Sequence, residues 1–461
     1  MTAPSSNLQL PTANIQCIIL AAGQGTRMKS TRPKVLHTLA GRSIIDYVID
    51  AASSISSRKP IVVIGFGAEE VQKTIGDRVQ YVRQTEQKGT GHAVVQACAK
   101  IDPKSETVLV VYGDTPFITA QTLTALVNTR TTTSAKIALL TFQPINPANN
   151  YGRIIRDGAG NITSIIEYKE LTTHQRRIDE VNAGPVCYET EWLLDHLPRL
   201  QPQAGHGELY LTDLVGLAAK ENASITAHQG SEIEVMGIND RVELSHAEHI
   251  LRERINHHWM LQGVTLIDPA RTTIEASVAI GIDTVILPNT SLEGRTSIGT
   301  DCVIGPNSIV RDSQIGNHCE ITASMIESAV LEDQVSVGPF SHMRKGTHLA
   351  QGVHVGNFAE VKNSQLGEGT KQGHFSYLGD ATIGSNVNIG AGTITANFDG
   401  EQKLTTEIGD DTFIGVDTMI IAPRKIGKRS KTGAGSVVTH DVADGELVYG
   451  VPAKPKVKSK K

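Results

Sequence analysis

The feature that most constrains this chain is a run of aliphatic residues spaced six apart. Ile280, Ile286, Leu292, Ile298, Ile304 and Val310 keep that interval. Ile408, Ile414, Ile420 and Ile426 keep it again, continuing through Thr432 to Val438. Glycine follows the aliphatic position at Gly281, Gly299, Gly305, Gly409, Gly415 and Gly427. Such a period suits neither an α-helix nor a flat strand, and it is the signature of a parallel β-helix. Three short strands per coil make a triangular prism, so aliphatics eighteen apart stack in one interior column. Glycine and small polar residues take the tight corners, where a bulky side chain would clash. The period breaks at Thr395–Thr406 (TANFDGEQKLTT), a polar insertion. Loops thrown out of a solenoid commonly build sites, because the coil itself has no cleft.

The first 230 or so residues follow a different rhythm. Ile15–Leu20, Ile61–Ile64, Thr107–Val111 and Ile137–Thr141 are short apolar runs bounded by Gly, Asp or Pro, as buried parallel strands tend to be. Helix-length stretches such as Ser43–Ser53 and Gly91–Lys100 lie between them. The alternation implies an α/β doubly wound, Rossmann-like parallel sheet. From Val242 to Leu261 there is no Gly or Pro, and apolar residues recur near helical spacing, which predicts a connecting helix. Its histidines (His246, His249, His257, His258) lack a carboxylate set and read as an exposed face before they read as metal ligands. The implied division is 1–240, a linker helix at 241–262, and a β-helix over 263–461.

At 461 residues the chain is too long for one ordinary core. Its net charge of -5 gives no reason to expect nucleic acid. No apolar run approaches a membrane span, and the N-terminus lacks a signal-peptide pattern. The five cysteines form no CxxC pair, which fits a reducing, cytoplasmic setting with ordinary buried thiols. The basic end, Lys454 to Lys461, reads as a solvated tail.

Directly after the first strand comes Leu20-Ala-Ala-Gly23-Gln-Gly25-Thr26-Arg27-Met28, then Pro33-Lys34. A glycine-rich turn between strand and helix lets backbone N–H groups approach phosphates, and an arginine and a lysine beyond it supply the charge a triphosphate demands. A second such turn, Gln84-Thr-Glu-Gln-Lys-Gly89-Thr90-Gly91-His92, opens a helix. Val110-Val111-Tyr112-Gly113-Asp114-Thr-Pro116 ends a strand in a carboxylate, at the edge where open sheets bind ligands. Alone, a strand-end Asp is often only a helix cap. In the β-helix the densest polar cluster is His354…Asn357-Phe-Ala-Glu360-Val-Lys362 with Gly373-His374-Phe-Ser-Tyr377-Leu-Gly-Asp380.

These motifs resemble the sugar-nucleotidyl pyrophosphorylases. With the hexapeptide half, the chain from about Ile15 to Gly450 resembles the bacterial family of bifunctional N-acetylglucosamine-1-phosphate uridylyltransferases/glucosamine-1-phosphate acetyltransferases. The resemblance implies a left-handed β-helix, a homotrimer with acetyl sites shared between neighbours, and a place in cell-wall precursor synthesis. It implies small-molecule substrates only: glucosamine-1-phosphate, N-acetylglucosamine-1-phosphate, UTP and acetyl-CoA, with Mg²⁺. Leu20, Ala22, Gly23, Lys34, Gln84, Gly89, Thr90 and Tyr112 would hold the nucleotide, and Arg27 and Lys34 would neutralise the triphosphate and leaving pyrophosphate. Asp114 and Asn239 would bind Mg²⁺. Gly152, Glu167 and Asn182, with Asn239, would fix the N-acetylglucosamine moiety.

In the second half the resemblance assigns His374 as general base, freeing the glucosamine amine to attack the thioester, with Glu360 to orient it. Arg344 and Lys362 would hold the sugar phosphate, and Tyr377 and Asn388 would complete the pocket. Ala391, Asn397, Phe398, Lys403, Val416 and Ala434 lie where the family places acetyl-CoA. An N–H near Ala391 would stabilise the oxyanion. Two positions depart from the family pattern: Phe398 stands where a tyrosine is usual, and Val416 where a serine is common. A single-function sugar-1-phosphate nucleotidyltransferase with a structural β-helix is the alternative, and a non-enzymatic scaffold with degenerate sites is another. Intact Arg27, Lys34, Asp114, His374, Asn388 and Lys403 weigh against both.

Overall fold

The computed structural model describes residues 14–146, 149–202 and 207–456. The polar N-terminus and the last five residues of the basic tail therefore lie outside the described residues. The chain divides into two compact units, one ending at Ala247 and the other beginning at Glu248.

The first unit is built on β1 (Ile15–Ala21), β2 (Ile61–Ile64), β3 (Gln80–Arg83), β4 (Thr107–Tyr112), β5 (Ile137–Phe142), β6 (Arg153–Arg156), β7 (Ile162–Ile166), β8 (Val181–Glu189) and β9 (Ile225–Gln229). The sheet order is β9-β5-β8-β4-β1-β2-β3, and β6 pairs with β8 and β7. Strands β1 to β4 pair in parallel, as does β9 with β5. Helices cover both faces, so inner strands are apolar on both sides. In β1, Ile15, Cys17 and Ile19 join one buried cluster while Ile18 joins another. The sheet is not wholly parallel: β8 runs antiparallel to β4, β5 and β6, and β7 antiparallel to β6. β8 is fed by the β6–β7 hairpin and not by a helical crossover, so it enters from the opposite end. Its pairing with β5 shifts register between Asn182 and Val186, a bulge that turns this stretch toward the site.

Helix α1 (Ile44–Ser54) starts from a capping box of Ser43 and Asp46, and α2 (Gly89–Ala97) ends in a 3-10 turn at Cys98–Lys100. Helix α3 spans Arg241–Leu261. His246, His249, His257 and His258 are all exposed on it. Among the described residues no helix is long and apolar enough to cross a membrane.

The second unit is a left-handed parallel β-helix of hexapeptide repeats, with three sheets of 12, 10 and 9 strands. One interior column of the 10-stranded face runs Ile274, Leu292, Val310, Ile326, Met343, Val361, Leu378, Thr395, Ile420 and Val438. The step is eighteen residues from Leu292 to Val310, as the period requires, but sixteen from Val310 to Ile326 and seventeen from Ile326 to Met343. Shortened corners, not lost strands, are why the hexad fades between the two legible runs. Several corners are taken by Asp or Asn with positive φ, among them Asp283, Asn289, Asp301 and Asn307. Thr395 breaks the aliphatic column without cost, because its hydroxyl accepts from Gly379 N at 2.7 Å and donates to Gly379 O at 3.0 Å.

All five cysteines are free thiols. Two substitute for hydroxyls in a ladder along another corner. Thr284 Oγ1 donates to Gly299 O at 2.9 Å and accepts from Cys302 N at 3.1 Å. One coil on, Cys302 Sγ donates to Gly316 O at 3.2 Å and accepts from Cys319 N at 3.4 Å, and Cys319 Sγ donates to Glu332 O at 3.1 Å.

Candidate active sites

β1 delivers Leu20 to the carboxyl edge of the sheet, where the glycine turn leads into a 3-10 turn at Thr26–Met28. A second 3-10 turn, Lys34–Leu36, carries Lys34. Its ammonium forms an ion pair with Asp114 and donates to Asn239 Oδ1 at 3.1 Å. Asp114 stands just past β4, and its carbonyl accepts from Ile238 N at 2.9 Å, which ties the Asn239 loop to the sheet edge. Asn239 N donates to Glu243 Oε2 at 2.6 Å, while Asp240 Oδ1 accepts from Val242 N and Glu243 N, each at 2.9 Å, and caps α3.

Asp114 and Asn239 thus turn two oxygen atoms toward one cation, the Lys34 ammonium. Among the described residues there is no group of three or more His, Cys, Asp and Glu side chains that could cage a metal. Two hard oxygen donors, with room for phosphate oxygens, are a donor set that fits Mg²⁺.

Two cavities open at this edge of the sheet. One of about 300 Å³ is lined by Leu20, Ala22, Gly23, Lys34, Gln84, Gly89, Thr90, Tyr112 and Asp114. The structure thus gathers every residue that the sequence resemblance assigned to the nucleotide. The other, of about 940 Å³, is lined by Arg27, Gly152, Glu167 and Asn182, and shares Thr90 and Tyr112 with the first. Gly89 has φ +91°, and a Cβ there would lie 2.5 Å from Leu209 O. The chain is clamped at this turn, since Gly91 N donates to Leu209 O and Leu209 N to Lys88 O, both at 2.8 Å. Only glycine fits such a conformation without strain. Burial pushes the Glu167 carboxyl up; a 3.4 Å bond from Thr212 opposes this, and the Glu170 and Asp213 carboxylates reinforce it. Burial also pushes the Tyr112 phenol up, with Glu167 and Asp114 adding to it, so Tyr112 stays a neutral donor.

Several lining residues were missed by sequence reasoning. Tyr151, Tyr168, Tyr210 and Thr212 line the larger cavity and Gln87 and Glu208 the smaller. Gln87 could have been found, since it lies inside the second glycine-rich segment; its Nε2 donates to Ala22 O at 2.9 Å. Tyr210 and Thr212 sit in a loop with no periodicity to mark it.

In the β-helix, register places the candidates on two corners. His374, Ala391, Val416 and Ala434 occupy successive rungs of one corner, as the pairings Lys371↔Asn388, Ile389↔Ile414 and Phe413↔Lys431 require. All but Ala391 are exposed there. Asn388 lies on the strand leading into that corner. Across the next face, Glu360 pairs with Tyr377 and Lys362 with Gly379. At its far corner Asp380 is buried and accepts from Asn363 Nδ2 at 2.6 Å and from Asn397 Nδ2, with Lys362 Nζ at 3.8 Å. Burial works against ionisation of Asp380, but the two asparagine bonds and Lys362 outweigh it and hold its carboxyl below the usual range. The insertion forms a tight hairpin, with Phe398 bridged to Lys403 and Leu404 N donating to Asn397 O at 2.7 Å. The nearby Lys362 ammonium pulls the Lys403 amine down.

The six residues assigned to acetyl-CoA therefore divide. Ala391, Val416 and Ala434 share the His374 corner, while Asn397, Phe398 and Lys403 share the Asp380 corner. The structure does not bring Glu360 to His374 either: Glu360 accepts from Arg344 Nη1 at 2.7 Å, and no hydrogen bond joins it to the imidazole. Asp380 carries no role in the sequence reading, although it closes the Gly373–Asp380 motif. Gly379 is a second omission. A Cβ there would strike Tyr377 Oη and lie 2.7 Å from Asn397 Nδ2, so its bareness lets both side chains close over the strand.

Residues 17–214 match the family model described as the MobA-like NTP transferase domain. Residues 405–440 match the hexapeptide repeat of succinyl-transferase. Among curated proteins, the bifunctional protein GlmU of Lactococcus lactis subsp. lactis is 47% identical over 434 residues, covering 94% of both chains. The proteins of the same name from Geobacillus sp. and Heliobacterium modesticaldum are each 45% identical over 431 residues, covering 93% of this chain and 94% of theirs.

Proposed function

The chain belongs to the family of bifunctional GlmU proteins, and from that premise we propose that its two units catalyse consecutive steps toward UDP-N-acetylglucosamine. The β-helix acetylates glucosamine-1-phosphate with acetyl-CoA. The first unit then transfers uridylyl from UTP to N-acetylglucosamine-1-phosphate and releases pyrophosphate. The observation that carries the reading is the Lys34 ammonium held between Asp114 and Asn239 at the edge of the smaller cavity, which shares Thr90 and Tyr112 with the larger one.

In the first unit a phosphate oxygen of the sugar phosphate attacks the α-phosphorus of UTP, and the bond to pyrophosphate breaks. The smaller cavity holds the nucleotide and the larger one the sugar, so attacker and target are aligned before reaction. Arg27 and Lys34 take up the charge that moves to the leaving pyrophosphate. Asp114 and Asn239 would hold Mg²⁺, which supplies further charge neutralisation at the phosphates. Glu167, kept less ionised by its burial, faces the sugar hydroxyls and amide. Asp114→Ala should abolish UDP-N-acetylglucosamine formation while leaving acetyl transfer intact, as read by pyrophosphate and free-thiol release together. Near-normal pyrophosphate release would remove the metal assignment.

In the second unit the free amine attacks the thioester carbonyl, the thiol leaves, and His374 takes the proton the amine loses. The split of the acetyl-CoA residues between two corners of one convex prism supports a site completed by a neighbouring copy. We accordingly place the His374 corner of one protomer against the Asp380 corner of the next in a homotrimer. The reaction partners and free thiols suit the cytoplasm.

A further inference from the structure

We propose that His92, together with the Gly89 carbonyl, sets which nucleobase the smaller cavity accepts, by holding the orientation of the Gln84 carboxamide; this rests on the uridylyl-transfer reading of that cavity. Gln84 is 5% exposed and lines the cavity. Its Nε2 carries two hydrogens, and each has an acceptor: the Gly89 carbonyl at 3.1 Å and His92 Nδ1 at 2.9 Å. A carbonyl can only accept, so the nitrogen side of the amide must face Gly89. The reverse orientation would set oxygen against oxygen. With Nδ1 accepting, the neutral imidazole keeps its proton on Nε2; the Gln96 carboxamide, whose Nε2 stands 3.2 Å from that nitrogen, can then bond the ring only by turning its oxygen to it, because two N–H donors do not pair. Both acceptors come from the first turn of α2, so the helix that opens the cavity also orients the amide.

What remains for a ligand is Gln84 Oε1, an acceptor. A pyrimidine with an N–H at ring position 3, such as uracil, donates to it. Cytosine held at the same place by its ribose and phosphates brings a lone pair there, and two acceptors then face each other away from water. A site built to bond an N–H rejects an analogue lacking it more sharply than pocket shape does. His92 acts through Gln84 and is a positioning residue.

The test is the rate of nucleotide-sugar formation with UTP and with CTP, in the full chain and two variants. His92→Phe keeps a ring but lacks the acceptor. It should lower kcat/KM for UTP about tenfold, the worth of one buried hydrogen bond, and leave CTP unchanged, so the UTP/CTP ratio contracts. His92→Asn, whose side-chain oxygen can stand in for Nδ1, should restore the ratio. Unchanged acetyl transfer in the same preparations reports an intact protein. An unaltered ratio in His92→Phe overturns the inference, as does a His92→Asn that fails to restore it, or UTP turnover without preference over CTP in the unaltered chain. A chain that forms no nucleotide sugar from any triphosphate overturns instead the reading on which the inference rests.

Discussion

Glu167 and Asp380 are carboxylates that their surroundings pull in opposite directions, and each carries a pH signature. Burial raises Glu167 above the ordinary glutamate value. The folded chain then holds that proton more tightly than the unfolded one. Its contribution to stability is full in acid and is lost as pH rises through the raised value. Glu167→Gln should therefore raise Tm more at pH 7 than at pH 4, while raising the KM for N-acetylglucosamine-1-phosphate. Equal gains at both pH values would rule out burial as the cause. Asp380 is the reverse case: hydrogen bonds and Lys362 hold it low despite burial. Its contribution is present above the ordinary aspartate value and lost as pH falls through the lowered one. Asp380→Asn should cut acetyl transfer about tenfold, since Lys362 and Asn397 lose a charged partner, with uridylyl transfer unaffected. Cys302 and Cys319 make a milder point at the same scale. Each thiol does a hydroxyl's work in the corner ladder, so Cys319→Ser should shift the urea midpoint of the β-helix less than Cys319→Ala.

Strands and coils differ in how openly the sequence displays them. Strands β1, β2, β4 and β5 were legible as apolar runs, because helices on both faces demand an unbroken stretch; β3, a polar-ended edge strand, was not. β8 was not, for its Asn182 and Gly184 interrupt the apolar pattern at the bulge beside the larger cavity. The coils were legible from Ile280 to Val310 and from Ile408 to Val438, where each keeps its full length. Between them the coil from Val310 to Ile326 is two residues short, which moves the aliphatics off the six-residue grid without moving them out of the column. The column itself is continuous, and Leu378 sits in it with no exposure. Leu378→Ala should cost about 2–5 kcal/mol by leaving a cavity that rigid coils cannot close, measured by urea denaturation. The site residues followed the same logic. Residues in contiguous motifs, such as Lys34 and Asp114, were readable; Tyr210, Thr212 and the role of Asp380 depend on contacts between distant segments.

At the scale of the whole molecule, a site divided between corners makes a quantitative demand on assembly. In a cyclic trimer each acetyl site would take one corner from each of two neighbours. His374→Ala disables one corner and Lys403→Ala the other. When the two variants are co-expressed, every mixed trimer contains one junction with both corners intact. Random assortment then restores about a quarter of the unaltered acetyl-transfer activity. No recovery would place each site within a single protomer. The hairpin at Asn397–Leu404 has a consequence of its own. The rungs on either side of it, Ile389 and Ile414, remain paired although the chain detours between them. A scaffold that leaves its stacking undisturbed by a detour can exchange that excursion like a tool bit, so that descendants of one prism could come to handle different acyl donors while the shaft stays the same.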